Sequence, residues 1–370
     1  MRDLLGRPLH DLRISVTDRC NLRCPYCMPR EHFGPGYAFL PPAELLSFAE
    51  IARVARAFCA NGVRKIRLTG GEPLLRPRLE QLVAMLRELP DVGELALTTN
   101  GVLLARRAQT LKDAGLDRVT VSLDALDPAV FRAMSDAPLS PERVLEAIDV
   151  ALAAKLVPIK VNMVVRRGVN AMRVLESGPA RVVWESIAAD GTTPTGHTKE
   201  WLGTTMEFDI VPAGAGTELR FIEYMDVGAT NGWRAQEVVP AAQILREIEQ
   251  RWPLERTPPV IAGEVASRYR YTDGAGEIGV IHSVSNPFCA TCTRARLSAD
   301  GRVHTCLFAE GETDMRALLR GGASDRELAE AVGRVWQARS DRYSAERSTR
   351  GTRDASTVVT PAPEMSYIGG

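Results

Sequence analysis

The sequence predicts an α/β fold built on a parallel β-sheet, and two observations support that prediction. Six short β-rich runs recur within the first 224 residues, and most of them are separated by stretches with helical periodicity. Repeated strand and helix units place the strands in parallel, because each helix carries the chain back before the next strand begins. The runs are residues 12–16, 65–68, 94–99, 118–123, 158–165 and 218–224.

Two helices can be placed from their capping residues and apolar spacing. Residues 42–60 carry apolar side chains near helical spacing, start at a proline and are followed by Asn61 and Gly62, so we expect a helix over that segment. A second helix is expected from Pro141, because Ser140 suits an N-cap and proline suits the first helical position.

Six strand and helix units are compatible with a doubly wound sheet and with a partial barrel, and periodicity does not separate the two. In either architecture the functional groups gather at the carboxyl ends of the strands. A second region is expected at residues 229–338, where a Gly-Ala-Gly hairpin signal precedes a group of cysteines. Residues 339–370 are polar with few apolar side chains, which predicts a flexible tail that ends in Gly369-Gly370.

The bulk composition excludes several function classes. Hydrophobic residues at 45% and charged residues at 25% of the 370 residues are typical of a globular protein. Lys plus Arg is 46 and Asp plus Glu is 46, so no global field attracts nucleic acid or a membrane, and any anion site must be local. No apolar run is long enough for a signal peptide or a membrane span, so we expect a cytoplasmic protein.

Three of the seven cysteines, Cys20, Cys24 and Cys27, follow the first predicted strand. Grouped cysteines without a secretion signal suggest metal chemistry before disulfides. Structural zinc takes four ligands, whereas a four-iron cluster held by three thiolates keeps one iron open to another ligand. A zinc site that takes its fourth ligand from His10, His32 or the distant cysteines remains an alternative.

A second group, Cys289, Cys292 and Cys306, again supplies three thiolates. A second open cluster is the simplest interpretation, although His282 or His304 could complete a zinc site. Arg294 and Arg296 follow Cys292 directly, where a bound polyanion would need them. The seventh cysteine, Cys59, lies on the apolar face of the first predicted helix and is interpreted as an inert core thiol.

The Cys-x3-Cys-x2-Cys spacing resembles the signature of the radical S-adenosylmethionine superfamily. Further motifs narrow the resemblance to the molybdenum cofactor biosynthesis protein A family, which the chain resembles over residues 1–170 and from about 218 to 312. The similar segments are residues 12–29, 69–73, 98–101, 121–124, 159–162 and 221–228, with the second cysteine group and the terminal Gly369-Gly370.

This resemblance implies a fold and an activity. Residues 1–228 would form the partial (β/α)6 TIM-type barrel of radical S-adenosylmethionine enzymes, and residues 229–338 an α+β module with a second iron-sulfur cluster. The activity would be that of a lyase that converts GTP to 3′,8-cyclo-7,8-dihydro-GTP in the first step of molybdenum cofactor biosynthesis. The ribose 3′ hydrogen would be abstracted, and the C3′ radical would attack guanine C8 before one-electron reduction and protonation.

The resemblance also implies roles for individual residues. The six grouped cysteines would hold two [4Fe-4S] clusters, and Arg294 and Arg296 would be catalytic. S-adenosylmethionine would contact Tyr26, Gly70, Gly71, Glu72, Ser122 and Met225. GTP would contact Arg13, Arg67, Thr98, Lys160, Arg220, Arg294, Ala295 and Arg296.

The implied partners are a low-potential electron donor, cyclic pyranopterin monophosphate synthase as recipient of the product, and a second copy of the chain in a homodimer. Residues 170–217 depart from the family, because they are twice as long as one helical crossover needs and lack a clear period. Two other classes stay open: a radical enzyme that matures peptides with an auxiliary cluster, and a non-catalytic zinc-binding interaction protein.

Overall fold

A computed structural model describes residues 1–170, 172–178, 181–186, 205–209, 217–228, 230–260, 263–274, 276–308, 311–350 and 363–369. The strands are β1 (Asp11–Ser15), β2 (Lys65–Thr69), β3 (Glu94–Thr99), β4 (Arg118–Ser122), β5 (Ile159–Val165), β6 (Met172–Gly178), β7 (Arg181–Ser186), β8 (Thr205–Asp209), β9 (Thr217–Glu223), β10 (Leu254–Thr257), β11 (Ser267–Tyr271), β12 (Glu277–Ile281), β13 (Arg294–Leu297), β14 (Arg302–His304) and β15 (Thr313–Asp314). All six predicted strands are confirmed to within one residue at each end.

The main sheet has twelve strands in the order β10-β11-β12-β9-β5-β4-β3-β2-β1-β13-β14-β15. Its six central strands, β1 to β5 and β9, lie side by side in chain order, and every neighbouring pair among them is parallel. A doubly wound sheet reverses its strand order at a switch point. These six strands show no such reversal, so the doubly wound alternative is excluded.

The helices are α1 (Phe48–Ala60), α2 (Leu79–Arg87), α3 (Ala108–Asp113), α4 (Pro128–Ser135), α5 (Glu142–Ala153), α6 (Ala241–Glu249), α7 (Met315–Arg320), α8 (Asp325–Gln337), α9 (Tyr343–Arg350) and α10 (Met365–Ile368). The predicted start of the first helix at residue 42 is wrong by six residues. Ser47 and Glu50 form a reciprocal capping box, which fixes the first turn at Phe48. The second predicted helix is confirmed as α5, but it begins at Glu142, and no side chain caps it.

The two faces of the central strands differ in chemistry. On one face Leu12, Ile14, Ile66, Leu68 and the corresponding residues of the next strands are buried in the main core, which includes the apolar sides of α1, α2, α3 and α5. Side chains alternate between the faces of a strand, so the intervening residues point to the opposite side. Those residues are mostly charged or hydroxylic, and they line a cavity instead of a core.

The C-terminal region extends the central sheet at both ends. β12 pairs in parallel with β9, and β13 pairs in parallel with β1. The predicted hairpin is confirmed, since β11 and β12 are antiparallel and Gly274 between them has a φ of +80°. Residues 229–338 therefore share one sheet with the first region.

The long segment before β9 forms β6, β7 and β8, a separate antiparallel sheet of three strands. The other residues between Asn170 and β9 lie outside the described residues. The predicted flexible tail is wrong at its start, because the Arg339 side chain is 1% exposed and α9 follows it. Gly370 is not among the described residues, and none of the described helices is long and apolar enough to cross a membrane.

Candidate active site

A cavity of about 840 Å³ lies against the polar face of the central strands and reaches both cysteine groups. Parallel strands that alternate apolar and polar residues produce this arrangement, because every second side chain must face inward. Almost all the predicted site residues line the cavity: Cys20, Cys24, Cys27, Cys289, Cys292, Cys306, Tyr26, Gly70, Gly71, Ser122, Met225, Arg13, Arg67, Thr98, Lys160, Arg220, Arg294 and Arg296.

Two loops at the carboxyl ends of β1 and β2 pack backbone against backbone. The Gly71 N–H donates to Thr17 O (2.8 Å), and the Glu72 N–H donates to Arg19 O (2.8 Å). A Cβ atom on Gly70 would collide with Thr17 O, and one on Gly71 would collide with Arg19 O. Glycine is therefore required here by the close approach of the first cysteine loop.

The Glu72 side chain holds this loop instead of facing the cavity. Its carboxylate is fully buried and accepts hydrogen bonds from Leu74 N (3.0 Å), Thr99 Oγ1 (2.7 Å) and Asn100 N (2.8 Å). Burial raises the pKa of Glu72 to about 7. The Glu72 side chain thus ties the ends of β2 and β3 together, and its contact with the cofactor stays a prediction.

The first cysteine group consists of free thiols on one loop. Burial raises the pKa of Cys20 to about 11, and burial with the neighbouring thiols also raises the pKa values of Cys24 and Cys27. Leu22 N (3.4 Å) and Asn100 Nδ2 (3.8 Å) donate to Cys20 Sγ. Because thiolates here would lack a compensating charge, this donor set fits a cationic cluster held by three cysteines.

Among the described residues, no three His, Cys, Asp or Glu side chains converge closely enough to bind a single metal ion.

Tyr26, in the first cysteine loop, connects that loop to Asp124, which follows β4. Its hydroxyl donates to Asp124 Oδ2 (2.6 Å), and Asp124 Oδ1 accepts from Val164 N (2.8 Å). Burial raises the pKa of Asp124 to about 6. This chain of hydrogen bonds fixes the Tyr26 ring at the cavity wall.

Three arginines form a row across neighbouring strands. Arg13 of β1 is in register with Arg67 of β2 and with Arg296 of β13. Like charges directly opposite each other are destabilising, and among the described residues Arg13 and Arg67 form no salt bridge. Burial and the adjacent arginines lower the pKa values of both. Such a row is suited to bind a polyanion, whose charge would compensate it.

Hydroxyls and carboxylates orient the other cations of the cavity. Arg67 Nη1 donates to Thr98 Oγ1 (2.9 Å) and Thr120 Oγ1 (2.8 Å). Lys160 Nζ lies 3.0 Å from Glu218 Oε2, and Arg220 Nε lies 2.6 Å from Glu218 Oε1. Burial lowers the pKa of Lys160 to about 8, with Arg220 acting in the same direction.

Sequence reasoning missed several cavity cations, among them Lys65 and Arg118. Both begin a strand, and both form salt bridges with Glu94 Oε1, at 3.1 Å and 2.5 Å respectively. Arg118 Nη1 is buried and has no hydrogen-bond partner among the described residues. The period of two along β2 would have indicated Lys65, which lies two residues before Arg67.

The second cysteine group lines the same cavity, next to β13, which carries Arg294 and Arg296. Arg294 Nη2 (3.6 Å) and Arg339 Nη2 (3.3 Å) both donate to Cys292 Sγ. Burial opposes ionisation of Cys292, but the two arginines outweigh it and lower the pKa to about 6. Ala295 is 1% exposed and belongs to the core, and its contact with substrate stays a prediction.

The C-terminal residues reach the same cavity wall. Arg296 Nη1 donates to the Gly369 carbonyl oxygen, and the Tyr367 hydroxyl donates to Asp300 Oδ1 (2.7 Å). Gly369 has a φ of +76°, and a Cβ atom there would overlap Thr69 Oγ1. The penultimate glycine thus lies between Arg296 and Thr69 at the end of β2.

The fold and the site place the chain among radical S-adenosylmethionine enzymes. The family model "Radical SAM superfamily" matches residues 14–177, and the family model "Molybdenum Cofactor Synthesis C" matches residues 217–345. Together these matches span both cysteine groups.

The relatives narrow that class to one family. A GTP 3′,8-cyclase from Acidothermus cellulolyticus is 52% identical, and one from Staphylococcus aureus strain MRSA252 is 42% identical; each comparison covers 100% of this chain and 99% of the relative. The chain belongs to the GTP 3′,8-cyclase family. Solved structures are more distant: Streptococcus suis SuiB bound to S-adenosylmethionine is 13% identical with a TM-score of 0.48, covering 83% of this chain and 61% of that one, which is too weak a likeness to bear on function.

Proposed function

We propose that this chain is a GTP 3′,8-cyclase, which converts GTP to 3′,8-cyclo-7,8-dihydro-GTP in the first step of molybdenum cofactor biosynthesis. The observation that carries the proposal is the single cavity of about 840 Å³, which connects both cysteine groups through a row of arginines. A nucleotide triphosphate needs such a cationic surface in a protein whose net charge is zero.

The strand order supports a partial (β/α)6 barrel as the catalytic unit. The six strands are parallel, follow one another in chain order and face helices with their apolar sides. This arrangement is typical of an incomplete (β/α) barrel. β12 and β13 would then continue the barrel wall from the C-terminal module, which brings the second cysteine group to the same cavity.

The six cysteines would hold two [4Fe-4S] clusters, three ligands to each. When bound, the first cluster with S-adenosylmethionine supplies the 5′-deoxyadenosyl radical that starts the reaction. Gly70 and Gly71 leave room for a ligand to approach the loop backbone, while Tyr26, Ser122 and Met225 would form the walls of the S-adenosylmethionine site. Glu72 and Asp124 would keep these loops in place.

The row of arginines would hold the triphosphate of GTP and thereby place its ribose. Arginine forks match phosphate geometry, and each charge-assisted bond in a buried site contributes about 1.5–3 kcal/mol. Arg13, Arg67, Lys160 and Arg220, with the missed residues Lys65 and Arg118, would bind phosphate oxygens. Arg294 and Arg296 lie beside Cys292 and the C-terminal glycine, where they would act on the reacting end of the nucleotide.

The position of the C-terminal segment supports a role in enclosing the substrate. Tyr367 and Arg296 hold it across the cavity wall, which would exclude water from a carbon radical. We extend the proposal to three partners of the family: a low-potential electron donor, cyclic pyranopterin monophosphate synthase as recipient of the product, and a second copy in a homodimer.

The deciding experiment is anaerobic reconstitution, metal analysis and incubation with GTP, S-adenosylmethionine and a low-potential reductant. We expect about eight irons per chain, as two four-iron clusters require, and 5′-deoxyadenosine that forms only when GTP is present. ATP in place of GTP is the matched control for the substrate. Zinc at one or two per chain would indicate the interaction protein instead, and 5′-deoxyadenosine formed only with peptide would indicate the peptide-maturing enzyme.

A further inference from the structure

Arg339 is a buried arginine that the proposed reaction does not use. It follows α8 closely, its side chain is 1% exposed, and its guanidinium stacks on the Trp336 ring at 4.5 Å from the ring centre. Asp3 Oδ2 lies 3.5 Å from Nη1, and Asp341 Oδ2 lies 3.4 Å from Nε. The side chain is thus held rigidly by contacts from three parts of the chain.

The free edge of this guanidinium faces one cysteine. Arg339 Nη1 donates to the Cys292 carbonyl oxygen (2.8 Å), and Arg339 Nη2 donates to Cys292 Sγ (3.3 Å). A fork that binds both the backbone and the sulfur of the same residue fixes the direction of the N–H toward the sulfur. An ion pair with Asp3 alone would require neither bond.

A second arginine reaches the same sulfur atom from the cavity side. Arg294 Nη2 lies 3.6 Å from Cys292 Sγ, and its guanidinium stacks on the Phe288 ring. Cys292 therefore accepts two hydrogen bonds from charged donors. Both arginines line the cavity, but the Arg339 side chain is 1% exposed and is held by Asp3, Asp341 and Cys292.

We propose that Arg339 tunes the second cluster by raising its reduction potential through the hydrogen bond to Cys292 Sγ. Hydrogen bonds to ligating sulfurs are one of the factors that set cluster potentials. A charged donor draws electron density from the thiolate and stabilises the reduced cluster, which carries one more negative charge. The inference rests on the proposed second cluster, and it makes Arg339 a positioning residue that does not touch substrate.

The test is a reductive titration of the holoenzyme followed by electron paramagnetic resonance, with the iron content of each preparation measured. Addition of S-adenosylmethionine identifies the first cluster, because only its signal should change. In Arg339→Gln we expect the potential of the other cluster to move to a more negative value, while the first cluster keeps its potential. Arg339→Lys retains a charge but lacks the planar fork whose two nitrogens bind separate Cys292 atoms, so we expect a smaller shift in the same direction.

Arg342→Gln is the matched control, because Arg342 lies in the same segment, is 53% exposed and pairs with Glu346. It should shift neither potential. Wild-type protein with about eight irons and two titrating clusters, of which neither moves in Arg339→Gln or Arg339→Lys, would overturn the role of Arg339 and leave the proposed function intact. Wild-type protein with only about four irons would contradict the second cluster itself. If Arg339→Gln does not retain its iron, the test rests on Arg339→Lys: a more negative potential of the second cluster supports the role of Arg339, and an unchanged potential overturns it.

Discussion

Arg13 of β1 lies directly opposite Arg296 of β13, the strand of the C-terminal region that pairs with β1. Both side chains line the cavity, and Arg67 continues the row on the other side of Arg13. Like charges in register cost stability unless an anion lies between them. The protein therefore maintains an unfavourable arrangement at the place where its substrate would bind.

Removing one charge from the row should separate binding from stability. In Arg13→Gln we expect the Kd for GTP to rise by about 10- to 100-fold, since a charge-assisted bond contributes about 1.5–3 kcal/mol and 1.4 kcal/mol corresponds to a factor of ten. The melting temperature without GTP should stay the same or rise, because repulsion is relieved. Calorimetry measures both quantities.

The control for that variant is Arg326→Gln. Arg326 is 85% exposed and lies 3.8 Å from Glu330 on the surface of α8, so neither quantity should change. A lower melting temperature of Arg13→Gln with an unchanged Kd would show that Arg13 is structural.

Lys160 should make GTP binding sensitive to alkaline pH. Its pKa in the folded protein is lowered to about 8, so the amine loses its charge as pH rises through that value. We expect the Kd for GTP to increase above pH 8, and proton uptake on binding near that pH. The free energy of unfolding without GTP should change in the opposite direction. Between pH 8 and 10.5 Lys160 is protonated in the unfolded chain but not in the folded one, so the folded protein becomes more stable as pH rises.

Arg keeps its charge throughout this range, so Lys160→Arg should give a flat profile of Kd against pH. A Kd that rises equally with pH in both proteins would assign the pH dependence to another group.

Gly71 should be required for the first cysteine loop. In Gly71→Ala the added Cβ would collide with the carbonyl oxygens of Arg19 and Asp18, and these backbone atoms cannot move aside freely. We expect iron to fall from about eight to about four per chain, since only the first cluster would be lost. Gly36→Ala, with no atom within 4 Å of the added carbon, should retain all the iron. Full iron in Gly71→Ala would show that the first cluster does not depend on the close contact between the two loops.

The penultimate residue should affect turnover and leave the clusters unchanged. A Cβ in Gly369→Ala would overlap Thr69 Oγ1 and displace the carbonyl group that Arg296 binds. We expect kcat to fall at least about tenfold, as a loss of roughly 1.4 kcal/mol would produce, with normal iron content. Gly168→Ala is a matched control, because Gly168 has nearly the same φ of +75° but no atom within 4 Å of the added carbon. Equal kcat in the wild type and Gly369→Ala would remove the C-terminal segment from the reaction.

The sequence predicted the strands and both cysteine groups, because period-two patterns and cysteine spacing are local properties. It did not predict which residues stand opposite one another. Arg118 was missed for that reason, because it becomes a cavity cation through the register of β4 with β3. The period of two along β2 would have indicated Lys65, since it lies two residues before Arg67. Helix α1 began later than predicted, because the Ser47 and Glu50 capping box outweighed the apolar spacing before it.

The burial of Arg339 could not be predicted from the sequence for a different reason. Composition after residue 339 is typical of a solvated tail, and an arginine that binds a sulfur atom has no local signature that distinguishes it from an exposed one. Its burial depends on Asp3 and Cys292, which are distant in the sequence. The terminal Gly369-Gly370 was visible only through the family resemblance.

β9 and β1 acquire their outer partners from residues 277–297, in the last third of the chain. During synthesis, β1 and β9 therefore remain unpaired edge strands of the central sheet until β13 and β12 leave the ribosome. Open strand margins invite pairing with other chains, so the nascent protein is exposed to aggregation for most of its translation. Metal loading at Cys20, Cys24 and Cys27 is possible before that moment, whereas a complete reaction chamber can exist only after it.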